Sequence, residues 1–455
     1  MTDTLLTILG LVVYIPFIVQ LAHTKWDKSR WTHQLMQLML LLQWSSIMHG
    51  PAVMYICIGL LMVAFILHVI IARPSFRWAP FLIVAISYVA WFAVSLLWSA
   101  APQKGLQFLV DNGLPLIGFA LMASVLRISK DEMINLMRNC CYVALIFFGV
   151  AFITWNVSCA ELHILPWHWP LFEKSFFNDV HGYKWIFRFL GGINGYTHHA
   201  YNLLPMCAVI SIAIWLRKEG AVKAWFWWLL WIGLTFTTLL CQSRMILLFC
   251  AVIVAAYLIA LLPTLCTRII GSALILCLAT IIAISKKSML QTFTEDPIRV
   301  TLYEHTWRYI HAKPLLGSGA GALNPVEICH TNGELYWPYI GYIPPEMAVA
   351  DWPFKAHMLP HNQWLADWAH GGIVAFAISI ALYLCLAEQC IRKKRYGETV
   401  FLLIIIVFSF FEPMLYIGKG LYLFGILSTC LNALEPVTCQ TNRADSVVSD
   451  RPTHA

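Results

Sequence analysis

Residues 52–72 read AVMYICIGLLMVAFILHVIIA, a run of 21 positions without a charged side chain. A helix needs about 20 mainly apolar residues to cross the hydrocarbon core of a bilayer, so this run has the length of one membrane span. A shorter run at 34–48 is a further candidate. Similar runs lie near 4–22, 78–98, 105–126, 136–157, 198–216, 222–240, 244–262, 265–285, 364–388, 398–416 and 418–434. The sequence therefore predicts an all-α, polytopic integral membrane protein with 12–13 transmembrane helices.

The composition of the whole chain agrees with this prediction. Of its 455 residues, 60% are hydrophobic and only 12% are charged, and the mean hydropathy is +0.71. A soluble domain carries roughly 25% charged residues. A chain with so little charge is unsuited to a water-facing surface, which excludes a soluble enzyme, a disordered protein and a nucleic-acid-binding protein. We expect the lipid bilayer as a partner and no nucleic acid.

The basic residues fall on alternate connections between the apolar runs. One set of connections contains Lys25, Lys28, Arg30, Arg73, Arg77, Arg127, Lys130, Arg138, Arg217, Lys218, Lys223, Arg268 and the run 392–395. The connections between them hold almost none, as at 50–51, 99–104 and 241–243. Cytoplasmic loops carry the excess of Lys and Arg, so the first set is predicted to be cytoplasmic. The net charge of +7 is then mainly a signal of orientation.

This orientation defines the predicted domain organisation. A membrane domain covers 1–435, and its long polar loops, 158–197 and 286–362, lie on the opposite face, which in a bacterial inner membrane is the periplasm. With thirteen spans the N-terminus is outside and the C-terminus inside. The polar segment 436–455 is predicted to be a disordered cytoplasmic tail. The N-terminus lacks a basic leader and a cleavage site and is interpreted as a retained first helix.

The loop 286–362 is far longer than a helix connection requires. It contains the amphipathic stretch DPIRVTLYEHTWRYIHAKP, the glycine-rich stretch PLLGSGAGALNP, an aromatic section and the closing stretch HMLPHNQWLADWAHGG. The aromatic residues are compatible with an interfacial belt or with sugar binding. The glycines are compatible with a turn or with a phosphate cradle.

Three stretches of this region carry a specific resemblance. His361-Asn362, nine further residues and then Gly372 fit a His-Asn-x9-Gly signature. Arg299 lies fifteen residues before Pro314, which opens the stretch PLLGSG. Ser243-Arg244 stands at the start of an apolar run. In this order the stretches resemble the O-antigen ligase and polymerase superfamily, bacterial membrane glycosyltransferases that use undecaprenyl-diphosphate-linked glycans. Three positions after the glycine, where the family usually has a small or polar residue, this chain has Ala375, and four positions after the arginine, where the family often has Trp, it has Tyr303.

The resemblance implies transfer of a glycan from undecaprenyl diphosphate to a sugar hydroxyl. The acceptor is lipid A-core in a ligase or another lipid-linked glycan in a polymerase, and a related activity transfers glycans to protein. A ligase is our first hypothesis. No DxD motif occurs on the outer loops, so a metal-independent reaction without a cofactor is expected.

The reaction needs a group that binds the departing diphosphate and a base for the acceptor hydroxyl. Arg244 and Arg299 are the predicted diphosphate ligands, because a guanidinium holds phosphate oxygens in a bidentate manner and stays charged. His361 is the predicted general base, because a neutral imidazole accepts a proton near neutral pH. The further predicted substrate-binding residues are Asn362, Arg308, His357, Tyr336, Trp337, Trp352 and Glu412. Glu412, like Asp367, is an acid within a predicted apolar helix, where such groups are usually functional.

The sequence leaves open one other class of function and one possible disulfide. A transporter of lipid-linked glycans or anions would also use buried arginines, although no pair of matched broken helices is visible. Cys159 and Cys329 both lie in predicted outer loops and are candidates for a disulfide.

Overall fold

In the computed structural model, the chain is described at residues 2–161, 163, 199–241, 243–264, 266–272, 297–322 and 360–434. These residues form helices and short turns, and no β-strand occurs among them. Eight of the described helical segments are long and apolar enough to cross a membrane. The prediction of an all-α, polytopic membrane protein is confirmed. Most of both predicted outer loops and the predicted tail lie outside the described residues.

The N-terminal third consists of helices joined by short connections. Two of these connections are single turns, a 3₁₀ turn between α1 and α2 and a π turn between α6 and α7. Helices α4, α5 and α6 each begin with proline, which suits the first helical position because its amide would have no intrahelical partner there. The helices are α1 Thr2–Gly10, α2 Ile15–His23, α3 Trp31–Ser46, α4 Pro51–Ala72, α5 Pro80–Ser95, α6 Pro102–Phe108, α7 Leu114–Val125 and α8 Lys130–Glu161.

The rest of the described chain contains one helix within the long loop and six helices in apolar runs. The loop helix is α12, Pro297–Ala312. The others are α9 His199–Lys218, α10 Ala224–Cys241, α11 Arg244–Leu261, α13 Gln363–Arg392, α14 Tyr396–Ser409 and α15 Gly418–Ala433. The predicted span 398–416 therefore ends early, at Ser409. A loop that contains a 3₁₀ turn, Met414–Tyr416, leads from there to α15.

The helices differ in how much of their surface they bury. In α9, 94% of the residues over a membrane-spanning length are buried, so this helix is central to the bundle. In α4 the large apolar side chains of Ile56, Val63 and Ile70 are 64%, 55% and 63% exposed. These residues lie seven apart, which places them on one face of the helix. A stripe of exposed apolar side chains is expected where a helix faces lipid.

The bundle has two chemically different ends. At one end, which we call the basic end, Arg77 donates to the carbonyl of Asn432 at 2.7 Å and Lys393 donates to that of Leu434 at 2.9 Å. Lys130 pairs with Glu219 there at 2.6 Å. The connections that were predicted to be cytoplasmic thus meet at one end. Helix α13, with 30 residues, runs from His361 at the opposite end to this one, a length of about 45 Å at 1.5 Å per residue.

Candidate active site

The glycine of the His-Asn-x9-Gly signature interrupts helix α13. Gly372 has φ 69° and ψ −169°, a backbone conformation that side-chain-bearing residues rarely adopt. A Cβ atom at this position would lie 2.0 Å from the carbonyl oxygen of Leu315. One residue later, the Ile373 amide donates to the Pro314 carbonyl at 3.0 Å. The glycine therefore allows the PLLGSG loop to pack directly against α13.

The amides of the PLLGSG loop bond to the protein itself. The amides of Gly317, Ser318 and Gly319 donate to the carbonyls of Lys313, Ala369 and His370, at 2.9, 2.8 and 2.8 Å. The Ala320 amide donates to the Ser95 hydroxyl at 3.0 Å. A phosphate cradle needs amides that are available to an anion. Of the two interpretations of this glycine cluster, the contacts favour a structural turn.

His361 lies immediately before α13 and faces an acid. Its Nδ1 atom is 3.1 Å from Oε2 of Glu412, so the carboxylate accepts from Nδ1–H and leaves Nε2 as the proton acceptor. The Glu412 side chain is only 3% exposed, whereas that of His361 is 33% exposed. The pair thus combines a buried carboxylate with an imidazole that is open on one side. Glu412 lies in the loop after α14, and the prediction that it sits within a helix is wrong.

The backbone of His361 is held in an unusual conformation. Its φ is 43°, in the left-handed region that non-glycine residues seldom occupy. Tyr303 of α12 donates from its hydroxyl to the carbonyls of His361 and Phe410, both at 3.1 Å. Asn362 caps α13, because its Oδ1 accepts from the Leu365 amide at 3.0 Å, and its Nδ2 donates to the Phe410 carbonyl at 3.1 Å. Three segments of the chain therefore fix the position of the imidazole.

A buried polar network lies one turn further along α13. Asp367 is fully buried and accepts from the hydroxyls of Tyr88 and Tyr416, at 2.7 and 3.1 Å, and from Nε2 of Gln363 at 2.8 Å. The Oε1 atom of the same Gln363 accepts from the Leu415 amide at 2.7 Å. A buried carboxylate is tolerated when donors surround it in this way. The network ties α13 and α5 to the loop that carries Glu412.

The structure describes the two predicted arginines by their backbone alone. Arg244 is the first residue of α11. Arg299 lies in the first turn of α12, one helical turn before Tyr303. Arg308 is exposed on α12. The predicted residues His357, Tyr336, Trp337 and Trp352 lie outside the described residues, as does Cys329, whereas Cys159 is buried near the end of α8.

No arrangement typical of a metal site occurs in the described part of the chain. Among these residues, no three His, Cys, Asp or Glu side chains lie close enough together to hold one metal ion.

The segment that carries the site is similar to a known protein family. Residues 228–380 match the family model for O-Antigen ligase. The match supports membership of the O-antigen ligase and polymerase superfamily. The matched segment is a third of the chain and includes Arg244, Arg299, the PLLGSG loop and His361, but Glu412 falls beyond it. No curated protein matches this O-antigen ligase-like chain.

Several residues of the site are not evident from the sequence of this O-antigen ligase-like protein. In the sequence Tyr303 is only a departure from the family pattern, whereas in the structure its hydroxyl donates to the carbonyl of His361. Tyr88 and Tyr416 cannot be recognised as site residues from the sequence, because tyrosines are common in apolar helices. Asp367 can be recognised, since a carboxylate within an apolar run requires partners.

Proposed function

We propose that the protein is a membrane glycosyltransferase of the O-antigen ligase type that acts on the periplasmic face of a bacterial inner membrane. The contact between His361 and the buried Glu412 carries this proposal. An exposed imidazole paired with a buried carboxylate is a typical arrangement for a general base. Its position at the end of the bundle opposite the basic connections supports a periplasmic site.

In the proposed reaction the acceptor hydroxyl attacks the anomeric carbon of the glycan. The hydroxyl proton moves to Nε2 of His361 as the new glycosidic bond forms. The bond from the anomeric carbon to the diphosphate breaks, and its electrons leave with undecaprenyl diphosphate. Glu412 holds the imidazole in the productive tautomer and stabilises the imidazolium that forms. A direct attack of this kind inverts the anomeric centre.

The diphosphate needs positive charge as it departs. Arg244 and Arg299 are the proposed ligands, since their helices begin in the family-matched segment and α12 also supplies the tyrosine that bonds His361. Bidentate hydrogen bonds from guanidinium groups would stabilise the developing charge. Asn362 is better suited to positioning the histidine than to holding a sugar, because both ends of its amide already bond within the protein. Arg308 and the loop aromatics remain proposed substrate contacts.

A reconstituted transfer assay tests the proposal. Purified protein would be supplied with an undecaprenyl-diphosphate-linked glycan and lipid A-core, and the glycosylated acceptor would be measured. His361→Ala should abolish transfer, whereas the matched control His311→Ala, an exposed histidine of α12, should not. Transfer that survives in His361→Ala would refute the assigned base. No transfer by well-folded wild-type protein would favour a transporter.

The choice of acceptor requires a separate experiment in cells. A deletion strain of a ligase should lose all polymer on lipid A-core and accumulate lipid-linked polymer. A strain that instead carries single repeats on lipid A-core would identify a polymerase. Normal glycans on lipid A-core together with unglycosylated protein would identify a protein glycosyltransferase.

A further inference from the structure

A buried lysine that forms no ion pair with any described residue lies at the start of α15. The Lys419 side chain is 6% exposed, and its Nζ donates to Oδ1 of Asn202 in α9 at 2.5 Å. Among the described residues no carboxylate forms an ion pair with it. Removal of an ammonium group from water is costly unless a negative charge compensates for it. A neutral amide satisfies only one of the three Nζ–H donors.

The partner of Lys419 carries a second unsatisfied donor. Asn202 is completely buried, and among the described residues its Nδ2 atom has no hydrogen-bond partner. Nδ2 belongs to the same amide whose Oδ1 accepts from Lys419. A water molecule could occupy this place, but it would leave the ammonium charge uncompensated. Lys419 and Asn202 thus contact each other, and both have nitrogen donors left over among the described residues. When Lys419 is protonated, its positive charge lies beside these donors.

The local backbone adds to this positive potential. Lys419 is the second residue of α15, and no acidic side chain lies in the first turn of that helix. The N-terminus of a helix carries a partial positive charge of its own, so a lysine there is unfavourable and an anion is favourable. His49, at the end of α3, lies close enough for the Lys419 charge to act on its ring.

The elements that carry Lys419 and Asn202 also border the candidate active site. Tyr201, which precedes Asn202 in α9, lies within electrostatic reach of Glu412, and its ring packs against that of Phe408 at 5.2 Å. Lys419 itself follows the loop that carries Glu412. The helix that carries Asn202 and the loop that leads to Lys419 thus both border Glu412.

We propose that Lys419 and Asn202 form a buried phosphate-binding subsite that takes one phosphate of the lipid diphosphate. The identity of this ligand rests on the proposed function, whereas the preference for an anion follows from the charge and the donors. The phosphate could come from the polyprenyl donor, from a membrane phospholipid or from a free anion, and binding experiments separate these sources.

Thermal unfolding of the purified full-length protein in detergent tests the proposal. The probes are undecaprenyl diphosphate, uncharged undecaprenol, phosphatidylglycerol and inorganic pyrophosphate. Undecaprenyl diphosphate should raise the unfolding midpoint by about 4 °C or more at saturation, and undecaprenol should not. A shift with pyrophosphate alone would identify a free-anion site, and a shift with phosphatidylglycerol a phospholipid site.

Two variants connect the shift to the cluster. Lys419→Met removes the charge, and Asn202→Asp places a carboxylate beside Nζ and so neutralises it from within. Both should lose the anion-dependent shift, whereas Lys223→Met, an exposed lysine at the basic end, should keep it. If Lys419→Met fails to fold, Asn202→Asp still tests the subsite, because the new carboxylate supplies a counterion for the buried lysine. In the transfer assay Lys419→Met should raise KM for the donor about 10- to 100-fold and change kcat less.

The result that would overturn the subsite is a full anion-dependent shift in both variants, or no shift of the wild-type protein with any phosphate-bearing probe. His361→Ala separates this outcome from a failure of the proposed function, because it should lose transfer and retain the shift. A protein that binds undecaprenyl diphosphate through Lys419 but transfers nothing would retain the subsite and refute the enzyme assignment.

Discussion

Glu412→Gln is the most informative change at the candidate site. The substitution keeps the size of the side chain and removes the negative charge 3.1 Å from Nδ1 of His361. The new amide can donate to Nδ1, which favours the tautomer with the proton on Nε2. That nitrogen is the one proposed to accept the proton of the acceptor hydroxyl. The variant should therefore bind both substrates and fail at proton transfer.

The size of the effect follows from the exposure of the two side chains. General base catalysis contributes roughly 10²- to 10⁴-fold to a rate. Glu412 is only 3% exposed, so water screens its charge little, but the imidazole is 33% exposed and is partly stabilised by solvent. We expect kcat to fall about 10²- to 10³-fold, which corresponds to about 3–4 kcal/mol of transition-state stabilisation. KM for donor and acceptor should change less than about 3-fold.

Initial rates of transfer with purified protein measure this effect, and Glu388→Gln, an exposed acid at the basic end, is the matched control. The double variant His361→Ala/Glu412→Gln should be no slower than His361→Ala alone, because the two residues act as a unit. A kcat for Glu412→Gln within 3-fold of wild type, or an independent loss in the double variant, would refute this reasoning.

Three further variants test contacts that stabilise the protein, two beside the site and one at the basic end. Gly372→Ala should destabilise the protein by about 2–4 kcal/mol, because the new Cβ would lie 2.0 Å from the Leu315 carbonyl oxygen and the residue has a positive φ. Thermal unfolding in detergent measures this loss. The control Gly59→Ala should leave the stability unchanged, because no atom lies within 4 Å of the position of its Cβ. Asp367→Asn should cost about 1–3 kcal/mol in the same assay, because its new NH₂ group would face hydroxyl and amide donors. Burial lowers the pKa of Lys393, at the basic end, from 10.5 to about 8, so the unfolded chain binds more protons between these values. The stability of the wild type should therefore rise relative to Lys393→Met as the pH increases from about 8 to 10.5. Unfolding midpoints of both proteins at several pH values measure this difference. The absence of such a rise would show that the lysine is solvated.

The fold was largely predictable because membrane insertion depends on local composition. An apolar run of about 20 residues can satisfy its backbone in a bilayer only as a helix or as part of a closed barrel, whatever the rest of the chain does. The end of α14 was not predictable in this way. The sequence stays partly apolar through residues 410–416, but Pro413 lacks the amide that continues a helix, and the chain turns towards His361 instead.

The candidate site was predictable only in part. His361 was identified because the motif is contiguous in sequence and resembles a family signature. The function of the glycines was not decided by sequence, because a turn and a phosphate cradle require the same residues. The contacts of the Ser318 and Gly319 amides with α13 favour the turn.

The sequence by itself determined the class of the protein, the approximate positions of its membrane helices and the histidine motif, because these depend on residues close together in the chain. The tertiary structure alone decided which groups meet. His361 and Glu412 are 51 positions apart, Lys419 and Asn202 are 217 apart, and Asp367 and Tyr88 are 279 apart. Each of these contacts joins different helices or the loops at their ends, and helix packing rather than local composition brings such distant side chains within hydrogen-bonding distance.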